Sequence, residues 1–158
     1  MRTVPGIYRY GSERGPGEGL RIGVTRHPPR GVKKEDWARL GYCDLWFPLL
    51  APSAELVKAY RGGTMEWEVF ARRYRAEMRS PECGHLIALL AAFAERTPLS
   101  LGCFCEDESR CHRSVLRELV GACLSVETGG RADSSAPGGG EGGGYASPAC
   151  WANWDDLD

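Results

Sequence analysis

The spacing of apolar residues along this chain changes character from stretch to stretch, and the changes outline its elements. Residues 6–10 and 20–25 are short apolar-rich runs of strand length, separated by a glycine-rich polar turn from Gly11 to Gly19. This order predicts two strands paired as a hairpin with a long loop. Lys34 to Leu40 reads as a weak helix with Trp37 and Leu40 on one side. Leu45 to Leu50 reads as a dense core run, in which Pro48 argues against a central strand. Ser53 is placed to cap a short helix through Tyr60. Thr64 is placed to cap a longer one, where Trp67, Phe70, Ala71, Tyr74 and Met78 form a stripe at helical spacing. Ser80 and Pro81 open a third helix to about Arg96, apolar nearly all round and expected to be buried.

Residues 98–124 join two periods. Leu99 to Cys105 follows a proline and is long enough for a buried strand but too short for a helix. Glu106 to Arg110 is polar and reads as a turn. From Cys111 onward Val115, Leu116, Leu119, Val120 and Cys123 fall on one helix face, with Ser109 the expected N-cap. Strand, loop and helix in this order deliver Cys103, Cys105, Cys111, His112 and Arg113 to the carboxyl end of a strand, where open α/β sheets collect their ligands. The predicted fold is α/β, a small single-domain open sheet flanked by helices over residues 1–124. A flexible glycine-rich linker follows over 125–149, too poor in apolar residues to offset its ordering entropy, and an acidic, aromatic tip over 150–158.

Composition narrows the class. Hydrophobic residues are 42% of the chain, enough for a core. No apolar run approaches the roughly 18 residues of a membrane span, and no signal peptide is visible. Seven cysteines, an odd count, argue against a secreted disulfide framework, so the expected location is cytoplasmic. The net charge of −1 hides a split: residues 1–117 sum to +5 and residues 118–158 to −6. A mildly basic body suits a phosphorylated small molecule or a nucleic acid, although an ordinary solvated surface gives the same balance.

The chemistry at the strand edge has three readings. In the first, Cys111 and His112 are catalytic and Arg26, Arg30 and Arg113 bind an anion. A thiol at a helix N-terminus beside cations tends toward thiolate, an imidazole can move protons, and guanidinium groups grip phosphate in pairs. In the second, Cys103, Cys105, Cys111 and His112 ligate zinc or an iron–sulfur centre, with Cys83 and His85 as spare ligands. Against it, zinc cysteines usually come as Cys-x2-Cys pairs, and adjacent Cys and His seldom reach one ion. In the third, the cysteines form a disulfide among themselves or are small core residues, and Arg113 pairs with Glu106 or Asp107. The sequence names no cofactor and sets no oligomeric state. The acidic tip has the form of a docking motif for a protein partner, and its charge also suits folding back onto the basic body.

In the order Ile7-Tyr8-Arg9-Tyr10-Gly11, Pro29-Arg30-Gly31-Val32, Leu50-Ala51-Pro52-Ser53 with Glu55-Leu56, Phe70 with Arg73-Tyr74-Arg75, and Cys111-His112-Arg113, the chain resembles the YeaO-like proteins, domain-of-unknown-function family 488. The resemblance covers about Ile7 to Val120 and implies a small α/β domain without supplying an activity. Two departures stand out. His27 and Pro28 replace the leucine and tryptophan usual between the arginine and the Pro-Arg-Gly of that loop. Cys105 stands where the relatives often carry glutamate, as in another group with a Cys-aromatic-Cys pattern.

Overall fold

A computed structural model describes residues 4–126 together with Trp154 and Leu157; the linker and the rest of the tip lie outside the described residues. Four strands form one sheet: β1 (Gly6–Arg9), β2 (Leu20–Gly23), β3 (Leu45–Trp46) and β4 (Leu99–Cys103). Their order is β1-β4-β2-β3 and every pair is parallel. Four helices follow: α1 (Ala54–Arg61), α2 (Trp67–Met78), α3 (Pro81–Ala94) and α4 (His112–Val126). None of the described helices is long and apolar enough to cross a membrane.

The expected hairpin does not form, because β4 lies between β1 and β2, with Leu101 opposite both Ile7 and Ile22. All five residues of β4 are buried, so it takes a position with a neighbour on each side. Alternation then sorts the two faces. Ile22, Val24, Leu99 and Leu101 face the helices and join the main core with Phe70, Tyr74, Ile87, Leu116 and Leu119. Tyr8, Tyr10, Trp37 and Cys43 form a second cluster. Two glycines make room for it. A Cβ on Gly102 would meet the Tyr8 ring at 2.1 Å, and one on Gly23 would meet the Tyr10 hydroxyl oxygen at 2.1 Å.

The long loops are bound by charge. The Arg21 guanidinium is fully buried, donates to Glu18, to the carbonyl oxygens of Ser12, Glu13 and Gly41, and lies 4.3 Å from the centre of the Tyr8 ring. Asp44 accepts from both Arg14 Nη atoms and from the Arg21 backbone N–H at 2.8 Å.

Several sequence expectations shift. The weak helix is a 3₁₀ turn at Lys34–Asp36, and the expected core run is an edge strand followed by a 3₁₀ turn in which Leu50 is buried while Leu45 and Leu49 are exposed. Ser53 and Ser80 cap α1 and α3 as expected, accepting from Leu56 and Cys83 N–H. Thr64 donates instead to the Ala59 carbonyl at the end of α1, and α2 begins after Glu66. Leu89 and Phe93 of α3 face outward, because only one side of that helix meets the core. α4 runs on to Val126, two residues past Leu124. Trp154 is buried in the main core, donating its indole N–H to the Leu119 carbonyl, and Leu157 packs beside that core. Cys123 is disulfide-bonded, whereas Cys43, Cys83, Cys103, Cys105 and Cys111 are free thiols.

Two measurements test this account. Gly102→Ala should destabilise the chain by about 2 kcal/mol in urea unfolding, since the added methyl collides with a ring that is itself packed in place; an unchanged midpoint would mean the Tyr8 ring does not lie on Gly102. Burial of Asp44 works against its ionisation, but donation from Arg14 and from the Arg21 N–H outweighs it, and the carboxyl is held below its ordinary 3.8. A depressed folded value means the stabilisation is complete above the unfolded value and is lost as pH falls through the folded one. Asp44→Asn should therefore lower the urea midpoint at pH 6 and flatten its fall below about pH 4.

Candidate active site

The carboxyl ends of β2 and β4 open into a cleft of about 870 Å³. Three segments supply most of its lining: the loop after β2, the side of α1, and the loop from β4 to α4. β2 ends at Gly23, and the prolines at 28 and 29 lie in the loop beyond it. Trp46 Nε1 donates to the Thr25 carbonyl, and Thr25 Oγ1 donates to the His27 carbonyl, fixing the turn. Arg26 is anchored through Nε and Nη2 to the Pro52 carbonyl, at 3.1 and 2.9 Å, and Arg30 projects from the same loop. α1 contributes Lys58 and Arg61, and the β4–α4 loop contributes Arg110. Five cations therefore line the cleft, and no carboxylate is among its lining residues. Tyr42, Tyr60, Phe70 and Phe104 supply rings to the same walls.

Cys103, Cys105, Cys111 and His112 gather in the cleft wall. Asp107 caps a 3₁₀ turn at Glu108–Arg110 by accepting from the Ser109 N–H, so Ser109 is the capped residue and not the cap of α4. Cys111 follows in extended conformation, φ −131° and ψ 142°, and its side chain turns inward, leaving it 2% exposed. The Cys103 thiol donates to Cys105 Sγ at 3.7 Å, and Cys111 Sγ lies 3.8 Å from His112 Nδ1. The ligand atoms of Cys103, Cys111 and His112 all lie within 4.8 Å of one another. His112 Nε2 is 2.7 Å from the Val24 carbonyl, which can only accept; the other nitrogen therefore presents its lone pair to the thiols.

Charge distributes unevenly over this group. Donation first from Cys103 and then from Cys111 draws Cys105 well below the ordinary thiol range, while donation and burial push Cys111 far above it. Donation to Cys105 likewise raises Cys103. Burial lowers His112, which favours its neutral form. The half-buried Cys105, not Cys111, is the thiol that combines access with thiolate character. Both nitrogens of His112 are turned into the protein.

Arg26 and Arg30 share the cleft, but Arg113 does not line it. Arg113 is fully buried, donates Nη1 to the Cys103 carbonyl at 3.2 Å, and approaches Glu108 at 3.8 Å; Glu106 pairs with Arg9 instead. Cys83 donates to the Leu49 carbonyl and stands outside the group. Lys58 and Arg61 were not legible as site residues. The basic last turn of α1 is their one signal, and spacing alone does not say which sheet edge a helix end approaches.

The family model described as the Active DUF488-N3 subclade matches residues 5–123. The uncharacterized protein YeaO of Escherichia coli is 35% identical over 103 residues, 65% of this chain and 84% of that protein. The uncharacterized proteins Mb3100c of Mycobacterium bovis and Rv3073c of Mycobacterium tuberculosis are each 30% identical over 105 residues, 66% of this chain and 83% of theirs. No solved structure matches the chain.

Of the five free thiols among the described residues, Cys105 alone is accessible. In chelator-treated protein whose Cys123 disulfide is left intact, iodoacetamide should modify one thiol per chain quickly and the other four only after unfolding. Cys105→Ser should abolish the fast reaction. A fast thiol that survives this substitution would place the accessible sulfur elsewhere.

Proposed function

The chain belongs to the YeaO-like DUF488 family, and on that premise we propose that it is an enzyme acting on a nucleotide or on a nucleic-acid strand held in the basic cleft, with Cys105 the thiol presented to the substrate. One observation carries this reading: five cations and four aromatic rings line the cleft with no carboxylate among them. Guanidinium groups supply the paired donors that phosphate oxygens accept, and exposed rings supply faces for a base. A bare phosphate would use only the first set. Phe104, 46% exposed directly beside Cys105 in sequence, is placed to take the base. The word "Active" in the description of the matching subclade is in keeping with catalysis.

The roles of the sequence-predicted residues follow from their places. Arg30 and Arg61 meet phosphate, Arg26 does so with the one Nη group its bonds to Pro52 leave over, and Arg113 holds the end of β4 from behind. His112 orients the thiol group and does not reach substrate.

Isothermal titration with nucleoside mono- and triphosphates, inorganic phosphate and a short single-stranded oligonucleotide tests the reading. A nucleotide or the oligonucleotide should bind more tightly than phosphate. Arg30→Ala and Arg61→Ala should each weaken binding several-fold and each lower the salt slope by about one for a polynucleotide. Phe104→Ala should cost about tenfold, the loss of one stacked base. Arg72→Ala, on the exposed side of α2, should change nothing. Failure of all four ligands to bind, or equal loss in the Arg72 variant, overturns the proposal.

A further inference from the structure

We infer that Cys103, Cys105, Cys111 and His112 form a tetrahedral site for a single Zn²⁺ ion in the wall of the cleft. The inference stands on the geometry of the four groups and does not require the nucleotide reading.

Distance is the first argument. With Zn–S of about 2.3 Å and Zn–N of about 2.0–2.1 Å, the edges of a tetrahedron are about 3.8 Å between sulfurs and about 3.5 Å between sulfur and nitrogen. Here Cys103 Sγ and Cys105 Sγ are 3.7 Å apart, and Cys111 Sγ and His112 Nδ1 are 3.8 Å apart. The ligand atoms of Cys103, Cys111 and His112 all lie within 4.8 Å of one another, whereas Cys105 stands outside that trio, tied to it through Cys103, and its half-exposed side chain must turn in to become the fourth ligand. The sulfurs are too far apart for an S–S bond of about 2.05 Å. The sequence objection, that adjacent Cys and His seldom share an ion, fails on local conformation: the residues straddle the start of α4, Cys111 extended and His112 helical, which turns both side chains to one point.

Orientation is the second. A metal-bound imidazole almost always donates its other N–H to a carbonyl or carboxylate, which fixes ring and tautomer. His112 Nε2 has that partner in the Val24 carbonyl, leaving Nδ1 as the ligand atom.

Charge is the third. Arg113 is fully buried, and its Nε and Nη2 have no hydrogen-bond partner. Its one carboxylate neighbour, Glu108, is 3.8 Å away and 55% exposed. A buried cation left this thinly paired is costly unless anionic sulfur stands beside it. Three thiolates, one neutral imidazole and Zn²⁺ carry a net charge of −1, which gives Arg113 a buried counter-charge. Three thiolates and one imidazole also suit zinc better than the oxygen-seeking divalent ions. Coordination would hold Cys105, the half-exposed ligand, as a thiolate at every pH where the metal is bound.

The test uses the full chain purified under reducing conditions without chelator. Elemental analysis should find one zinc per chain. Cys103→Ser, Cys111→Ser and His112→Gln should lose it, while Cys43→Ser and Cys83→Ser keep it. Because the first three can misfold, a second measurement uses wild-type chain stripped of metal. One equivalent of Co²⁺ should give the d–d bands of a tetrahedral centre with strong thiolate charge-transfer absorption, and Cys105→Ser should lower that absorption by about one-third as one of three thiolates is lost. Metal-free wild type that also takes up no cobalt overturns the site, as does a mass showing Cys103 and Cys105 joined in a disulfide. Nucleotide binding by a chain that takes up neither zinc nor cobalt would leave the cleft reading standing while the zinc site falls; zinc present without nucleotide binding would do the reverse.

Discussion

Burial of β4 on both faces is the constraint from which the rest follows. A strand whose five residues are all out of water must be covered twice, so one face recruits the helices and the other recruits Tyr8 and the long loops. Its last carbonyl, on Cys103, accepts from the Tyr10 N–H at 3.0 Å and from Arg113 Nη1 at 3.2 Å. The end of the strand is thus held by β1 on one side and by α4 on the other. The cysteine there has little freedom, and the loop that leaves it brings Cys105 and Cys111 back to the same point.

Two fully buried arginines divide the work of the interior. Arg21 has donors matched to carbonyls and to Glu18, and it costs the fold little because nearly every N–H is used. It binds the loops around Ser12 and Gly41 to the sheet. Arg113 is under-bonded by comparison, and that imbalance sits beside the thiol group. In a dry interior such an imbalance is seldom neutral, so it marks where the molecule expects another charge.

The parts legible in the sequence were those set by local spacing. The switch from strand to helix over 98–124, the stripe on α2 and the serine caps of α1 and α3 were all readable, because each depends on neighbours within a few residues. Strand pairing was not. Nothing within Gly11 to Gly19 shows that β4 will insert between β1 and β2, since the insertion is decided by residues far along the chain. The site divided the same way. Cys103, Cys105, Cys111 and His112 were visible as a set, but which sulfur faces water turned on whether the helix begins at Cys111 or one residue later. Lys58 and Arg61 reach the cleft because α1 lies along its wall, a tertiary fact with no signature in their spacing. On α3, uniform hydrophobicity pointed to burial on all sides, yet Leu89 and Phe93 are exposed because one core face is all the helix meets.

Trp154 carries a different lesson about borders. The family match ends at residue 123, inside α4, while the indole of Trp154 is fully buried against the same helix and bonded to the Leu119 carbonyl. Shared ancestry and cooperative folding therefore draw different limits on this chain. The homologous region stops where similarity stops; the set of residues that must come apart together reaches to the indole. An excised portion matching the relatives would expose the seat of that ring to water, so Trp154 belongs to the thermodynamics of the domain.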